Sequence, residues 1–161
     1  MFYFKDFDLL TDDDIDLKIE KKVPANEEKG RVPSYKYRIT LHNMEDTIGA
    51  IDIRIGHNEN TYYGGNIGYT INEEYRGNSY ASKACKIIRE VAIVHGMEKL
   101  IITCNPDNFP SRRTCEKSGL KLREIVDLPI YNQMYVAGER QKCIYEWDLK
   151  NKRSENYDEN I

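Results

Sequence analysis

A chain of 161 residues has the length of one domain with a real core, because a polypeptide of this size buries roughly two-thirds or more of its unfolded surface. With 24 Lys and Arg against 27 Asp and Glu the formal charge is −3, which excludes the broad basic footprint of a nucleic-acid-binding protein. Cys85, Cys104, Cys115 and Cys143 are widely spaced with no C-x-x-C pair, so they read as reduced thiols rather than metal ligands, and no run approaches the ~20 apolar residues of a membrane span; a soluble, cytoplasmic protein without a metal is expected.

The N-terminus, Met1 to Asp6, has no apolar run followed by a small-residue cleavage site. Phe2 to Leu10 is aromatic-rich and ends at the acidic break Thr11 to Asp14. Ile15 to Glu20 alternates apolar and polar residues, the pattern of a half-buried strand, and the charged stretch Pro24 to Pro33 is a solvated loop. Tyr35, Tyr37, Ile39 and Leu41 alternate with polar residues in a second strand. After the turn Asn43 to Asp46, a third strand over Ile48 to Ile55 places Ile51, Ile53 and Ile55 on one side and Asp52 and Arg54 on the other. Gly56 to Gly65 is polar and Gly-rich and is expected as a mobile loop.

Ile67 to Ile71 is a fourth strand, Asn72 to Asn78 a polar turn, and the helix that follows carries Ala81, Ala84, Ile88, Val91 and Ala92 on one face. His95-Gly96 ends it, with glycine available for a left-handed cap. Leu100 to Cys104 is a short apolar strand, Asn108 caps a second helix running to about Ser118, and Leu120 to Val126 and Gln141 to Leu149 form a closing pair of strands around the long loop Pro129 to Arg140. The last residues, 150–161, are polar and expected to be disordered.

The strand, turn and helix start at Gly68 to Ala92 outline an anion site, since the first N–H groups of a helix have no intrahelical acceptor and lie at the positive end of its dipole. Within it, Tyr75-Arg76-Gly77-Asn78-Ser79-Tyr80-Ala81 resembles the acyl-CoA pyrophosphate loop of the GNAT superfamily of N-acyltransferases, whose pattern is Arg/Gln-x-x-Gly-x-Gly/Ala. Arg76 and Ala81 match, and Ser79 stands at the central glycine. A second segment, Asn105 to Ser111 followed by Cys115-Glu116-Lys117-Ser118-Gly119-Leu120, is similar to the family's Asn-x-x-Ser element and Glu-Lys-x-Gly-Phe helix end, in the branch resembling ribosomal-protein alanine acetyltransferases. The resemblance covers roughly residues 15 to 149 within a GNAT-like domain of residues 1–149, and implies an α/β (α+β) fold: one mixed, mostly antiparallel central sheet of about seven strands with two main helices. Two departures stand out. The charged loop Pro24 to Pro33 occupies the place where relatives carry one or two helices, and Cys115 stands where many have a tyrosine.

What the resemblance implies is an N-acetyltransferase that moves the acetyl group of acetyl-CoA to a primary amine of a small molecule or peptide by direct attack in a ternary complex, as a monomer or homodimer. Backbone atoms of Tyr69, Thr70 and Ile71 would hold the pantetheine arm, and Arg76, Gly77, Asn78, Ser79, Tyr80, Ala81 and Ser82 would cradle the pyrophosphate. Asn108 and Ser111 would touch the cofactor while also serving as a helix cap. Lys83 and Lys86 are available to an outer phosphate, and Arg89 reads as part of a solvated face. Attack requires that the amine lose a proton. Asp52 is the preferred base, Glu73 the next, with Glu74, His57 or a relaying water behind them. Tyr62, Tyr63, Tyr131 and Tyr135 are candidates for an acceptor pocket. Cys115 reads as a packing residue. A catalytically silent acyl-CoA-binding module and a cofactor-free interaction domain are the alternatives.

Overall fold

The computed structural model describes residues 1–150; the expected disordered tail lies, from residue 151 on, outside the described residues. Eight strands and four helices follow the order β1 (Leu9–Thr11), β2 (Ile15–Val23), β3 (Ser34–Leu41), β4 (Thr47–Arg54), α1 (Glu59–Gly64), β5 (Ile67–Ile71), α2 (Tyr80–Val94), β6 (Lys99–Cys104), α3 (Phe109–Lys117), β7 (Lys121–Asp127), α4 (Gln133–Val136) and β8 (Gln141–Asp148). The strands form an antiparallel five-stranded sheet, β1-β2-β3-β4-β5, and an antiparallel three-stranded sheet, β6-β8-β7.

The alternation in β2, β3 and β4 sends Ile15, Leu17, Tyr35, Tyr37, Ile39, Ile51 and Ile53 into the core, each no more than 2% exposed. The residues of α2 that recur at helical spacing, Ala84, Cys85, Ile88, Val91 and Ala92, are fully buried in the same cluster. Leu100 and Ile102 of β6 and Cys143, Tyr145 and Trp147 of β8 continue that core into the smaller sheet.

The two sheets meet at Asn66. Its backbone N–H donates to the Ile101 carbonyl at 2.6 Å, and its side-chain oxygen accepts from the Ile101 N–H at 2.9 Å. Its amide nitrogen donates to the carbonyls of Arg54 and Gly56, so this fully buried side chain has both ends satisfied. Past Asn66, β5 pairs with β4 on one side, while β6 pairs with β8 in the other sheet. The central sheet is thereby divided, and the opening beside β5 becomes the floor of the cleft described below.

Three segments are more ordered than their composition predicts. The expected loop Gly56 to Gly65 contains α1, because Asn58 and Thr61 form a reciprocal capping box. Asn58 and Asn60 also donate to the Gly30 carbonyl, tying α1 to the charged loop. The aromatic N-terminus contributes β1, and Phe2, Phe4 and Phe7 pack around Tyr35 and His95. The long loop after β7 holds the short helix α4, capped by Asn132.

Candidate active site

A cleft of about 580 Å³ opens between β5, the start of α2 and one face of α3. Three elements with local causes build it. The loop after β5 is held by Arg76, whose Nε donates to the Ile71 carbonyl at 2.9 Å, and by Asn78, whose amide donates to the Tyr75 carbonyl. Gly77 sits at φ +86° with no atom near the place a Cβ would occupy, and Ser79 enters the left-handed region at φ 65°. Lys117 of α3 donates to Ser79 Oγ. Ser79 therefore precedes α2 without capping it, and the first N–H groups of α2 are left to the cleft. On the far wall, Asn108 caps α3 by accepting from the Ser111 N–H, and Ser82 Oγ lies 2.9 Å from Ser118 Oγ, holding α2 against α3.

Tyr69 is half-buried in the wall of this cleft. Its hydroxyl is shut off from water and makes no well-formed hydrogen bond; the hydroxyls of Ser111 and Thr114 are its polar neighbours, and burial pushes the phenol up to about 12.

On the opposite face of the five-stranded sheet is a second cavity of about 320 Å³, lined by residues of β2, β3 and β4, by the loop at Gly30 to Val32 and by α1. Asp52 lies in it, directly across from Gly68 of β5. Burial raises the Asp52 carboxyl, against the pull of the Arg54 guanidinium at 3.2 Å and of Lys36. Gly68 leaves Asp52 its space, since a Cβ there would stand 2.8 Å from Asp52 Oδ1.

Most of the residues singled out in the sequence converge. Tyr69, Thr70, Ile71, Arg76, Gly77, Ser79, Tyr80, Ala81, Ser82, Asn108 and Ser111 all line the first cleft, whereas Asn78 only braces its loop. Glu73 is exposed on the turn after β5 and lines neither cavity, and neither do Glu74 or His57. The tyrosines proposed for an acceptor pocket are elsewhere: Tyr62 donates to Glu124, Tyr131 donates to Glu59, and Tyr135 lies 4.0 Å under the Arg140 guanidinium. Lys83 is paired with Asp14, and Arg89 lies over the Trp147 ring at 4.5 Å rather than on a solvated face. Besides Arg76, the cations of the cleft are Arg113 and Lys117, which with Pro110 and Thr114 make one helical stripe of α3. That i, i+3, i+4, i+7 spacing was readable, but not which way the stripe faces. Cys115 is fully buried, and burial raises its thiol, as expected of a packing residue.

Residues 3–121 match the sequence model described as "Acetyltransferase (GNAT) domain". The chain belongs to the GNAT acetyltransferase family. It is 29% identical over 133 residues to the uncharacterized N-acetyltransferase YnaD of Bacillus subtilis (strain 168), an alignment covering 74% of this chain and 76% of that protein. Among solved structures the fold is shared with a candidate ribosomal-protein-serine acetyltransferase from Vibrio cholerae, at TM-score 0.64 and 15% identity over 89% of this chain and 98% of the other. It is shared also with RimL, a ribosomal L7/L12 alpha-N-protein acetyltransferase in complex with coenzyme A, at TM-score 0.63 and 13% identity over 87% and 97%.

GNAT acetyltransferases use acetyl-CoA as co-substrate, and the first cleft fits such a molecule: open space over Gly77, uncapped N–H groups on α2, cations from α3 and an orphaned tyrosine hydroxyl. Among the described residues no group of His, Cys, Asp and Glu is placed to hold a metal, and no helix is long and apolar enough to cross a membrane.

Proposed function

We propose that the chain transfers the acetyl group of acetyl-CoA to a primary amine of a small molecule or peptide, by direct attack in a ternary complex. The observation that carries this reading is the place of Asp52 in the second cavity, directly across from Gly68 of β5, the strand whose next residues, Tyr69, Thr70 and Ile71, line the first cleft. Acetyl-CoA supplies the acetyl group as a thioester and leaves as a thiol. The N–H groups of Tyr80, Ala81 and Ser82, together with Arg76, Arg113 and Lys117, balance phosphate charge. Backbone groups of Tyr69 to Ile71, on the edge that β6 leaves open, position the acyl arm.

Asp52 receives the proton of the attacking amine. A carboxylate raised by burial is a better base near neutral pH than one in water, and its pairing with Arg54 holds it in one orientation. Direct attack is favoured over a cysteinyl intermediate because the four cysteines are buried, and burial raises Cys85 to about 12 and Cys104 to about 11. Four free, buried thiols also suit a reducing, cytoplasmic setting. An initial-velocity matrix of acetyl-CoA against amine tests the order of events. Intersecting lines support the ternary complex; parallel lines would require an acyl-enzyme and refute it.

A further inference from the structure

We propose that the second cavity selects an acceptor amine that carries an anionic group, a carboxylate or phosphate, held by Lys21, Lys36 and Arg31 while its amine reaches Asp52. This rests on the acetyltransferase reading above and names the substrate class of the same site. The register of three strand pairs carries the argument. Lys21 of β2 stands opposite Lys36 of β3, Lys36 opposite Asp52 of β4, and Asp52 opposite Gly68 of β5. Residues directly opposite share a face, so the side chains of Lys21, Lys36 and Asp52 form one row across three strands that ends beside Gly68 of the fourth. Lys21, Arg31, Lys36 and Arg54 line the cavity against a single lining carboxylate, Asp52, and that carboxylate is already paired with Arg54.

Two like charges placed directly opposite destabilise an antiparallel pair, yet Lys21 and Lys36 occupy such positions in a chain whose net charge is −3. The cationic excess is therefore local to this cavity, and an anion between them relieves it. Arg31 is held in place beside them: it exchanges backbone hydrogen bonds with Asn26, both at 2.9 Å, and the adjacent Gly30 carbonyl accepts from Asn58 and Asn60. Strands lie about 4.8 Å apart, so the Lys21–Lys36 pair is two to three strand spacings, roughly 10–14 Å, from Gly68. After allowance for the reach of a lysine, the anion and the amine of the acceptor are several bonds apart. The volume, about 320 Å³, suits a molecule of amino-acid or short-peptide size.

The test uses matched amines that differ in charge alone: the peptides Ala-Asp-Glu-amide, Ala-Asn-Gln-amide and Ala-Lys-Lys-amide, with 4-aminobutyrate against butylamine as the small-molecule arm. Melting temperature is read with each amine in the absence of acetyl-CoA, and kcat/KM in its presence, for the wild type, Lys36→Gln and the double variant Lys21→Glu/Lys36→Glu. Stabilisation by the acidic members, and a preference for them of about tenfold or more that Lys36→Gln weakens and the double variant abolishes, supports the proposal. The ratio between matched amines is the readout, because Lys36 also lowers Asp52 and its removal alters the absolute rate for all of them. Neutral amines that stabilise and react as well as acidic ones, or an acidic preference unmoved in both variants, would overturn it. Stabilisation by the acidic amines without turnover of any amine would leave the anion site standing and count against the acetyltransferase reading instead.

Discussion

Asp52 and Gly68 face each other across β4 and β5, and a methyl group on Gly68 would sit 2.8 Å from Asp52 Oδ1 and 3.3 Å from Arg54 Nη2. Both neighbours are side-chain ends able to turn aside, so Gly68→Ala keeps the fold at the cost of moving the carboxylate. The expected result is a kcat lower by roughly 10- to 100-fold with acetyl-CoA affinity unchanged, since misplacement by about 1 Å costs that order of rate. Stopped thiol-release assays beside calorimetry separate the two quantities; an unaltered kcat would mean that Asp52 is not where the proton is taken.

Arg113 and Lys117 line the cleft, whereas Lys83 is engaged with Asp14. Arg113→Glu and Lys117→Glu are each predicted to weaken acetyl-CoA binding about tenfold or more at low salt, with a smaller loss at high salt as the exposed charges are screened. Lys83→Glu serves as the control and leaves affinity within about twofold by the same screening argument. Equal losses in all three variants would show a diffuse field rather than a site.

Ser79 holds a left-handed backbone, a conformation that favours glycine. Ser79→Gly removes a penalty of about 1–2 kcal/mol but adds freedom to the unfolded chain and deletes the hydroxyl that Lys117 contacts. These effects nearly offset, so chemical denaturation is expected to give a stability within about 1 kcal/mol of wild type. A loss well beyond that would identify the Lys117–Ser79 contact as a main brace of the loop.

Cys115 and Tyr69 have different expected roles. Cys115→Ala is predicted to lower stability by roughly 1 kcal/mol through lost buried volume and to leave turnover within about tenfold of wild type. Tyr69→Phe removes a buried hydroxyl without a partner, so melting temperature should hold or rise, while acetyl-CoA binding weakens if that hydroxyl is satisfied by the bound molecule. Burial raises the Tyr69 phenol, so the role predicted for it is a hydrogen bond to the bound molecule rather than full transfer of its proton. A hundredfold drop in kcat for Cys115→Ala, with melting temperature kept, would reverse the assignment.

Local pattern was enough for the parts of the site that local physics determines. The apolar stripe of α2, the Asn108 cap and the alternation that separates Ile51 and Ile53 from Asp52 and Arg54 all follow from near neighbours in the chain. What escaped depends on distant partners. The α3 stripe faces the cleft because Ser82 and Ser118 hold the two helices together, and Lys83 is drawn away by Asp14, 69 residues earlier. The helix α1 was hidden by its glycines and by a capping box closed with Thr61 in place of the usual Glu or Gln. Glu73 looked well placed at the mouth of β5, but the turn after that strand leaves it in solvent.

The role of Asp52 as the base is tested most directly by the pH profile of kcat/KM for wild type and Asp52→Asn, with melting temperature followed in parallel. Because burial raises the folded-state pKa of Asp52 above its ordinary carboxylate value, its charged form disfavours folding; that cost is absent below the unfolded value, grows as pH rises through the raised one, and persists at neutral pH. The asparagine variant is therefore predicted to melt at or above the wild-type temperature at pH 7 while turnover falls on the order of 10²–10⁴-fold and the acidic limb of the profile is lost or displaced. Near-normal rates with an unchanged acidic limb would contradict the account.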